Sequence, residues 1–330
     1  MITSLLKLNK SRLNSASQKN RPDNDQADGL VRVSTKHLID LRRQAEMIPL
    51  NAHKILAPKS GAYLSPFKGR GMEFEESRIY QAGDDIRNMD WRVTARTGVA
   101  HSKVFREERE RAVLMWVDYR RPMFFATQGA FKSVMAARAA ALLSWSAIQH
   151  GDRLGGVILS EQQQDELRPQ RGDKAVLHFI NKLARHPAWS SPLSTPIEHT
   201  TAVQSLIHLR RVAKPGSLII LFSDFHHLGE QAESHLKQLA RHNDVMLMFF
   251  HDPLESQLPP PGLYQISNGQ QSMTINTADS SLRTTHQQQF QQHQDYLQNL
   301  CRRCGMFFIS CATNDPLEQT LQSQLRLKRK

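Results

Sequence analysis

From residue 112 onward, short apolar runs alternate with longer segments of mixed character. Residues 112–117 form a wholly apolar run that stops on an acid, Asp118. Further runs at 154–160, 218–222, 245–251 and 306–310 are short enough for strands, and an edge piece at 165–169 lies between the first two of them. Between them lie helical patterns at 129–149, 174–185, 201–212, 228–241 and 281–303, with a last one at 316–327. The first is rich in alanine (Ala136, Ala137, Ala139, Ala140, Ala141), which permits close approach to a sheet. A hairpin is expected at 263–277 around Asn268-Gly269. Alternating strands and helices predict an α/β fold, a doubly wound and mostly parallel sheet covered on both faces.

The segments before residue 112 follow different patterns. Residues 1–34 are polar and predict a flexible leader. Ser34-Thr35 offers a cap for a helix over 36–47, which Pro49 ends. Residues 50–111 carry short β-type pieces, 62–67 and 100–105, with turn glycines at 69, 71, 83 and 98. The predicted layout is a leader (1–34), the helix with a small β-rich subdomain (35–111), the α/β domain (112–315), and a C-terminal helix with a basic tail (316–330).

The small subdomain carries a dense signature: Arg70-Gly71-Met72-Glu73-Phe74, then Arg78-Ile79-Tyr80-Gln81-Ala82-Gly83-Asp84-Asp85-Ile86-Arg87, then Asp90-Trp91-Arg92-Val93-Thr94-Ala95-Arg96. It resembles that of the domain of unknown function 58 family. The charges in this stretch are expected to form a salt-bridge network that pins the small subdomain onto the sheet, with Tyr80 and Trp91 as core residues. The alternative is a recognition surface built on arginine and aromatic anchors. No nucleophile with an orienting base accompanies Asp84, Asp85 and Asp90.

The α/β portion resembles a von Willebrand factor A domain. Such domains often hold a divalent cation through an Asp-x-Ser-x-Ser motif, a loop threonine and a later aspartate. Here Asp118, Thr201 (or Thr200) and Asp224 match, but Arg120 and Pro122 stand in the two serine positions. The resemblance thus implies a degenerate metal site, with no metal or other cofactor expected. Arg120 is expected to take the place of the ion by pairing with one or both acids. Members of the family look like companions of MoxR-type AAA+ ATPases. The implied role is a non-catalytic adaptor or scaffold, partnered by such an ATPase and by a second von Willebrand A protein. A metal-dependent enzyme using Asp118 and Asp224 is the alternative.

Charge and cysteine count narrow the picture a little. The net charge is +12, yet basic residues gather in a block only at the tail, 326–330. Nucleic acid is therefore not the expected partner, and neither is a small-molecule substrate. Salt-dependent contact with an anionic membrane surface is the remaining basic-patch reading. Three cysteines, Cys301, Cys304 and Cys311, are too few for a disulfide framework. No run approaches the length of a membrane span, so a cytoplasmic location is expected. His226-His227 and the glutamine run at 287–292 are expected at the surface.

Overall fold

The computed structural model describes residues 29–48, 50, 72–81, 84–107, 111–190, 200–226, 229–267 and 272–326. The described residues up to 50 and from 111 onward form one compact unit, and residues 72–107 belong to a second.

The chain enters the larger unit through α1 (Thr35–Asp40), followed at once by a short turn of helix, Arg42–Ala45. The hydroxyl of Ser34 accepts from the His37 amide at 3.1 Å and caps α1. The continuous helix expected over 36–47 is thus two short pieces that meet at Leu41. Leu38, Leu41, Ala45 and Ile48 are buried within the main core of this unit. Trp145 donates its indole N–H to the Leu38 carbonyl, and Ser146 donates to the Ile48 carbonyl. This segment therefore packs with the large unit rather than with the small subdomain to which the sequence assigned it.

The smaller unit contains β1 (Met72–Ile79), α2 (Trp91–Thr97) and β2 (His101–Glu107). The two strands pair antiparallel, with Ile79 opposite His101 and a shift of register between Phe74 and Glu76. Asp90 caps α2 by accepting from the Val93 amide, and Gly98, at φ +73°, closes it in the left-handed conformation. The sequence pattern suggested neither β1 nor α2. Both are heavily charged, and a cap at each end rather than an apolar stripe defines the helix.

The larger unit is built on a six-stranded sheet. Its strands are β3 (Ala112–Asp118), β4 (Arg153–Leu159), β5 (Gln164–Gln170), β6 (Leu218–Ser223), β7 (Asp244–His251) and, last in the chain, β10 (Phe307–Ala312). They lie in the order β10-β7-β6-β3-β4-β5. All pairings are parallel except β4 with β5, so β5 is an antiparallel edge. The first sheet strand in the chain sits centrally, with the next two to one side and the remainder to the other. This is the doubly wound order in which the winding reverses between β3 and β6.

Alternate side chains of β3 enter two separate cores. Val113, Met115 and Val117 join one face, where α3 (Lys132–Gln149), α4 (Asp173–Ala184) and α8 (Leu317–Arg326) contribute Ala136, Phe179 and Leu321. Leu114 and Trp116 join the other, with Leu206 of α5 (Thr200–Val212), Leu236 of α6 (Glu230–His242) and Leu297 of α7 (Ser280–Cys304). Trp116 donates to the Ser205 hydroxyl at 2.7 Å across that face. A separate antiparallel pair, β8 (Leu263–Ser267) with β9 (Ser272–Asn276), stands where the hairpin was expected. The Asn268-Gly269 turn itself lies outside the described residues.

Close packing of β4 on its neighbours requires glycine. A Cβ at Gly156 would stand 2.4 Å from the Met115 carbonyl oxygen of β3. Gly156→Ala is expected to lower the unfolding free energy by about 1–3 kcal/mol, because strand backbone must move. A urea denaturation midpoint unchanged from wild type would contradict this packing.

Candidate functional site at the carboxyl edge of the sheet

The strands β3 and β6 run side by side, with Val117 beside Phe222, and their carboxyl ends lie at the reversal of winding. Asp118 ends β3 and Ser223 ends β6. Asp118 is completely buried. Its Oδ1 accepts from Arg120 Nε and from the Arg120 amide, both at 2.9 Å. Its Oδ2 accepts from Arg120 Nη2 at 2.7 Å and from the Ser223 hydroxyl, also at 2.7 Å. The guanidinium therefore grips both carboxylate oxygens in a bidentate fork, and is itself only 4% exposed. Burial works against the charge on Arg120, but Asp118 outweighs it and holds the guanidinium pKa above its ordinary value.

Local backbone geometry explains this fold-back. Between the two partners, Tyr119 is buried against the rings of Phe124, His186 and Trp189. Pro122 lies in the first turn of a 3-10 helix, Arg121–Met123, where its lack of an N–H is harmless. That turn closes with the Met123 amide donating to the Arg120 carbonyl at 2.9 Å.

Asp224 follows β6 and has a different cation. Lys132, the first residue of α3, is fully buried, and its Nζ donates to Asp224 Oδ2 at 3.1 Å and to Glu255 Oε1 at 2.7 Å. Arg120 still acts on Asp224 through space. Burial pushes the Asp224 carboxyl up, but Lys132, with help from His226 and Arg120, brings it well below the usual carboxylate range. Burial dominates at Glu255 and raises its pKa, although Lys132 opposes the rise. One ammonium thus serves two acids, of which Asp224 keeps the charge more firmly.

Asp252 completes the arrangement. It caps the short helix Pro253–Ser256 in a reciprocal capping box with Glu255. Its oxygens also accept from the amide and hydroxyl of Thr127 and from the hydroxyl of Thr313 at 2.6–2.8 Å. Phe225, at φ +50°, is the one non-glycine residue with positive φ among the described residues. It turns the chain so that the His226 amide donates to Asp224 Oδ1. The ring of His226 stacks on His293 at 4.5 Å, so His226 is half-buried rather than a plain surface histidine. His227 lies outside the described residues.

Several of the predicted positions fall together here, and others do not. Asp118, Arg120 and Pro122 share one turn, and Asp224 lies beside it. Thr201 is in the first turn of α5, and its side chain lies outside the described residues. The threonines seen holding an acid are instead Thr127 and Thr313, both on Asp252. Lys132, Ser223, Asp252 and Glu255 were not among the predicted site residues. The Asp252-x-x-Glu255 spacing is a capping-box signal that marks two of them.

The signature residues belong to the smaller unit. Arg78 pairs with Asp84 at 2.6 Å, and Asp84 also accepts from the Gln81 amide. Asp85 caps the turn Ile86–Asn88 by accepting from the Arg87 amide. Asp90 accepts from the Ser77 hydroxyl at 2.6 Å, which together with the Val93 amide lowers its pKa. Tyr80 is half-buried and Arg96 exposed. Trp91, expected in the core, is 66% exposed. Arg70, Gly71 and Gly83 lie outside the described residues, as do the side chains of Glu73 and Phe74.

Among the remaining expectations, Cys301 is buried with Leu297 and Leu300 at the end of α7, and burial pushes the Cys311 thiol up to about 12. Gln287, Gln288, Gln289, Gln291 and Gln292 are exposed. Among the described residues, no helix is long and apolar enough to cross a membrane.

The sheet order and the ion-paired crest define a doubly wound α/β protein whose crest carboxylates are held by cations of the same chain. The chain belongs to the family described as protein of unknown function DUF58, whose profile matches residues 76–296. A relative from Mycobacterium tuberculosis, an uncharacterized protein, is 27% identical over 256 residues, spanning 77% of this chain and 78% of its own. Among solved structures, the conserved hypothetical protein BatB from Bacteroides thetaiotaomicron is similar at 11% identity and a TM-score of 0.41, covering 66% of this chain and 98% of that one. A von Willebrand factor type A structure from Catenulispora acidiphila is similar at 10% identity and a TM-score of 0.33, covering 70% and 45%. At such scores the fold rests on the strand order itself.

The raised pKa of Glu255 gives a pH signature. The folded state holds this proton above the ordinary value of 4.5, so the associated stability is full below that value and is lost as pH rises through the folded pKa. Glu255→Gln is expected to remove that part of the decline. Parallel pH profiles of unfolding free energy for the two proteins would contradict the assignment.

Proposed function

We propose that this protein is a non-catalytic interaction module, an adaptor or scaffold that works with a MoxR-type AAA+ ATPase in assembling or activating other protein complexes. The observation that carries the reading is the bidentate lock of Arg120 on Asp118. In a metal-binding von Willebrand A domain, the acid at this position helps to hold a cation. Here its two oxygens already accept from a guanidinium, a backbone amide and a serine hydroxyl. Lys132 likewise neutralises Asp224. We read the crest as a degenerate metal site, in which fixed protein cations do the ion's structural work and leave a rigid platform for a protein partner. A second von Willebrand A protein is a further partner in this reading, and the cytoplasm is its setting.

The test is direct binding. The purified intact chain and the MoxR-type ATPase of the same genome are expected to co-sediment when ATP is present. Independent sedimentation of the two, with and without nucleotide, would overturn the adaptor reading.

A further inference from the structure

The smaller unit presents an exposed surface that the folding of its own chain does not explain. Of the nine large hydrophobic residues found exposed among the described residues, four lie within 72–107: Ile79, Ile86, Trp91 and Val99. Trp91 and Ile86 are each 66% exposed. They stand on α2 and on the turn leading into it, separated in the chain only by a few residues. Single exposed apolar residues are ordinary, whereas several on adjacent elements are not.

The charges around them are one-sided. Arg92 and Arg96 lie four apart on α2 and so share a face of the helix, and Arg87 precedes them on the turn. All three are exposed, and none has an ion-pair partner among the described residues. The neighbouring acids are already engaged: Asp84 by Arg78 and the Gln81 amide, Asp85 by the Arg87 amide, and Asp90 by Ser77 and the Val93 amide. Asp85 stays exposed beside Arg87, and the rest of what α2 and its turn offer outward is indole, aliphatic side chain and guanidinium.

We propose that Ile86, Arg87, Trp91, Arg92, Arg96 and Val99 form the docking surface for an acidic segment of a partner protein, one that carries an apolar anchor flanked by Asp or Glu. Charge complementarity selects the flanks, since guanidinium groups pair bidentately with carboxylates. Tryptophan and arginine are the side chains that most often dominate the energy of such contacts. This inference rests on the reading of the protein as an interaction module and assigns that role to a particular face.

The probe is a dye-labelled peptide in which leucine and phenylalanine alternate with glutamate, compared with the same peptide carrying glutamine for glutamate. With the intact chain, fluorescence anisotropy is expected to show the glutamate peptide binding at least about ten-fold tighter. The double variant Arg92→Glu/Arg96→Glu, and separately Trp91→Ala, are each expected to weaken it by about ten-fold or more, with melting temperature unchanged. Equal binding of the two peptides, or no effect of either variant, would overturn the proposal. So would displacement of the peptide by lower concentrations of a single-stranded oligonucleotide, preferential retention on phosphatidylglycerol vesicles, or self-association of the chain that Trp91→Ala abolishes. Acrylamide quenching, compared between wild type and Trp91→Phe, is expected to find Trp91 accessible, and a shielded Trp91 would also overturn it. If the wild type binds the ATPase but not the glutamate peptide, this surface is wrong and the module reading stands. The converse result separates them the other way.

Discussion

Replacing Lys132 with methionine is expected to lower the unfolding free energy by about 3–5 kcal/mol at neutral pH. The residue is fully buried and carries the ammonium for both Asp224 and Glu255. Methionine matches the length of the lysine stem but leaves two interior acids without the ammonium that contacts both. For a domain of ordinary stability this is a large share of the total. The cost should also depend on pH, because the stranded acids can escape by protonation. The variant is expected to gain stability relative to wild type as pH falls below neutrality, since its buried carboxyl pKa values would be raised. Adding Asp224→Asn and Glu255→Gln should recover much of the loss. A Lys132→Met variant within about 0.5 kcal/mol of wild type in urea denaturation would show that the cluster does not hold this edge of the sheet.

The second large effect is expected at Arg120. Arg120→Ser breaks a buried bidentate pair and leaves Asp118 with the Ser223 hydroxyl and a backbone amide. The expected loss is about 3 kcal/mol, at the lower end for such pairs because those two donors remain. The same substitution places a hydroxyl two residues after Asp118, where a metal-binding crest would have one. Mg²⁺ should then stabilise the variant but not the wild type. At ten times its dissociation constant the ion would return about 1.4 kcal/mol. A variant that loses stability but ignores Mg²⁺ would mean that the crest lacks other ligand positions, and that Pro122 and the local turn are unsuited to an ion.

How far the sequence could be read depended on how local each signal was. The buried strands announced themselves because both faces of a doubly wound sheet are covered, so 112–117, 218–222 and 245–250 are apolar throughout. The acids at strand ends were legible for the same reason, since a carboxylate that stops an apolar run must lie at the edge. Lys132 was not legible. A single lysine at the start of an alanine-rich helix reads as a solvated end, and its partners lie 92 and 123 residues further on. Glu255 and Asp252 carried a local signal in their capping-box spacing, but nothing in the sequence ties that box to the crest. In the smaller unit the balance was reversed. The signature residues stood out, yet the strand and helix bearing them did not, because both are heavily charged and the helix is limited by hydrogen-bonded caps rather than an apolar stripe. Trp91 was misplaced: a large aromatic among charges suggested a core position, but the side chain is 66% exposed.

The central claim is that protein cations, and not a metal ion, neutralise the carboxylates at the crest. Calorimetric titration of Mg²⁺ into the wild-type chain, with Arg120→Ser alongside, tests it most directly. Heat of binding in the variant and none in the wild type at the same concentrations is the predicted result. Tight binding by the wild type that Asp118→Asn abolishes would contradict it.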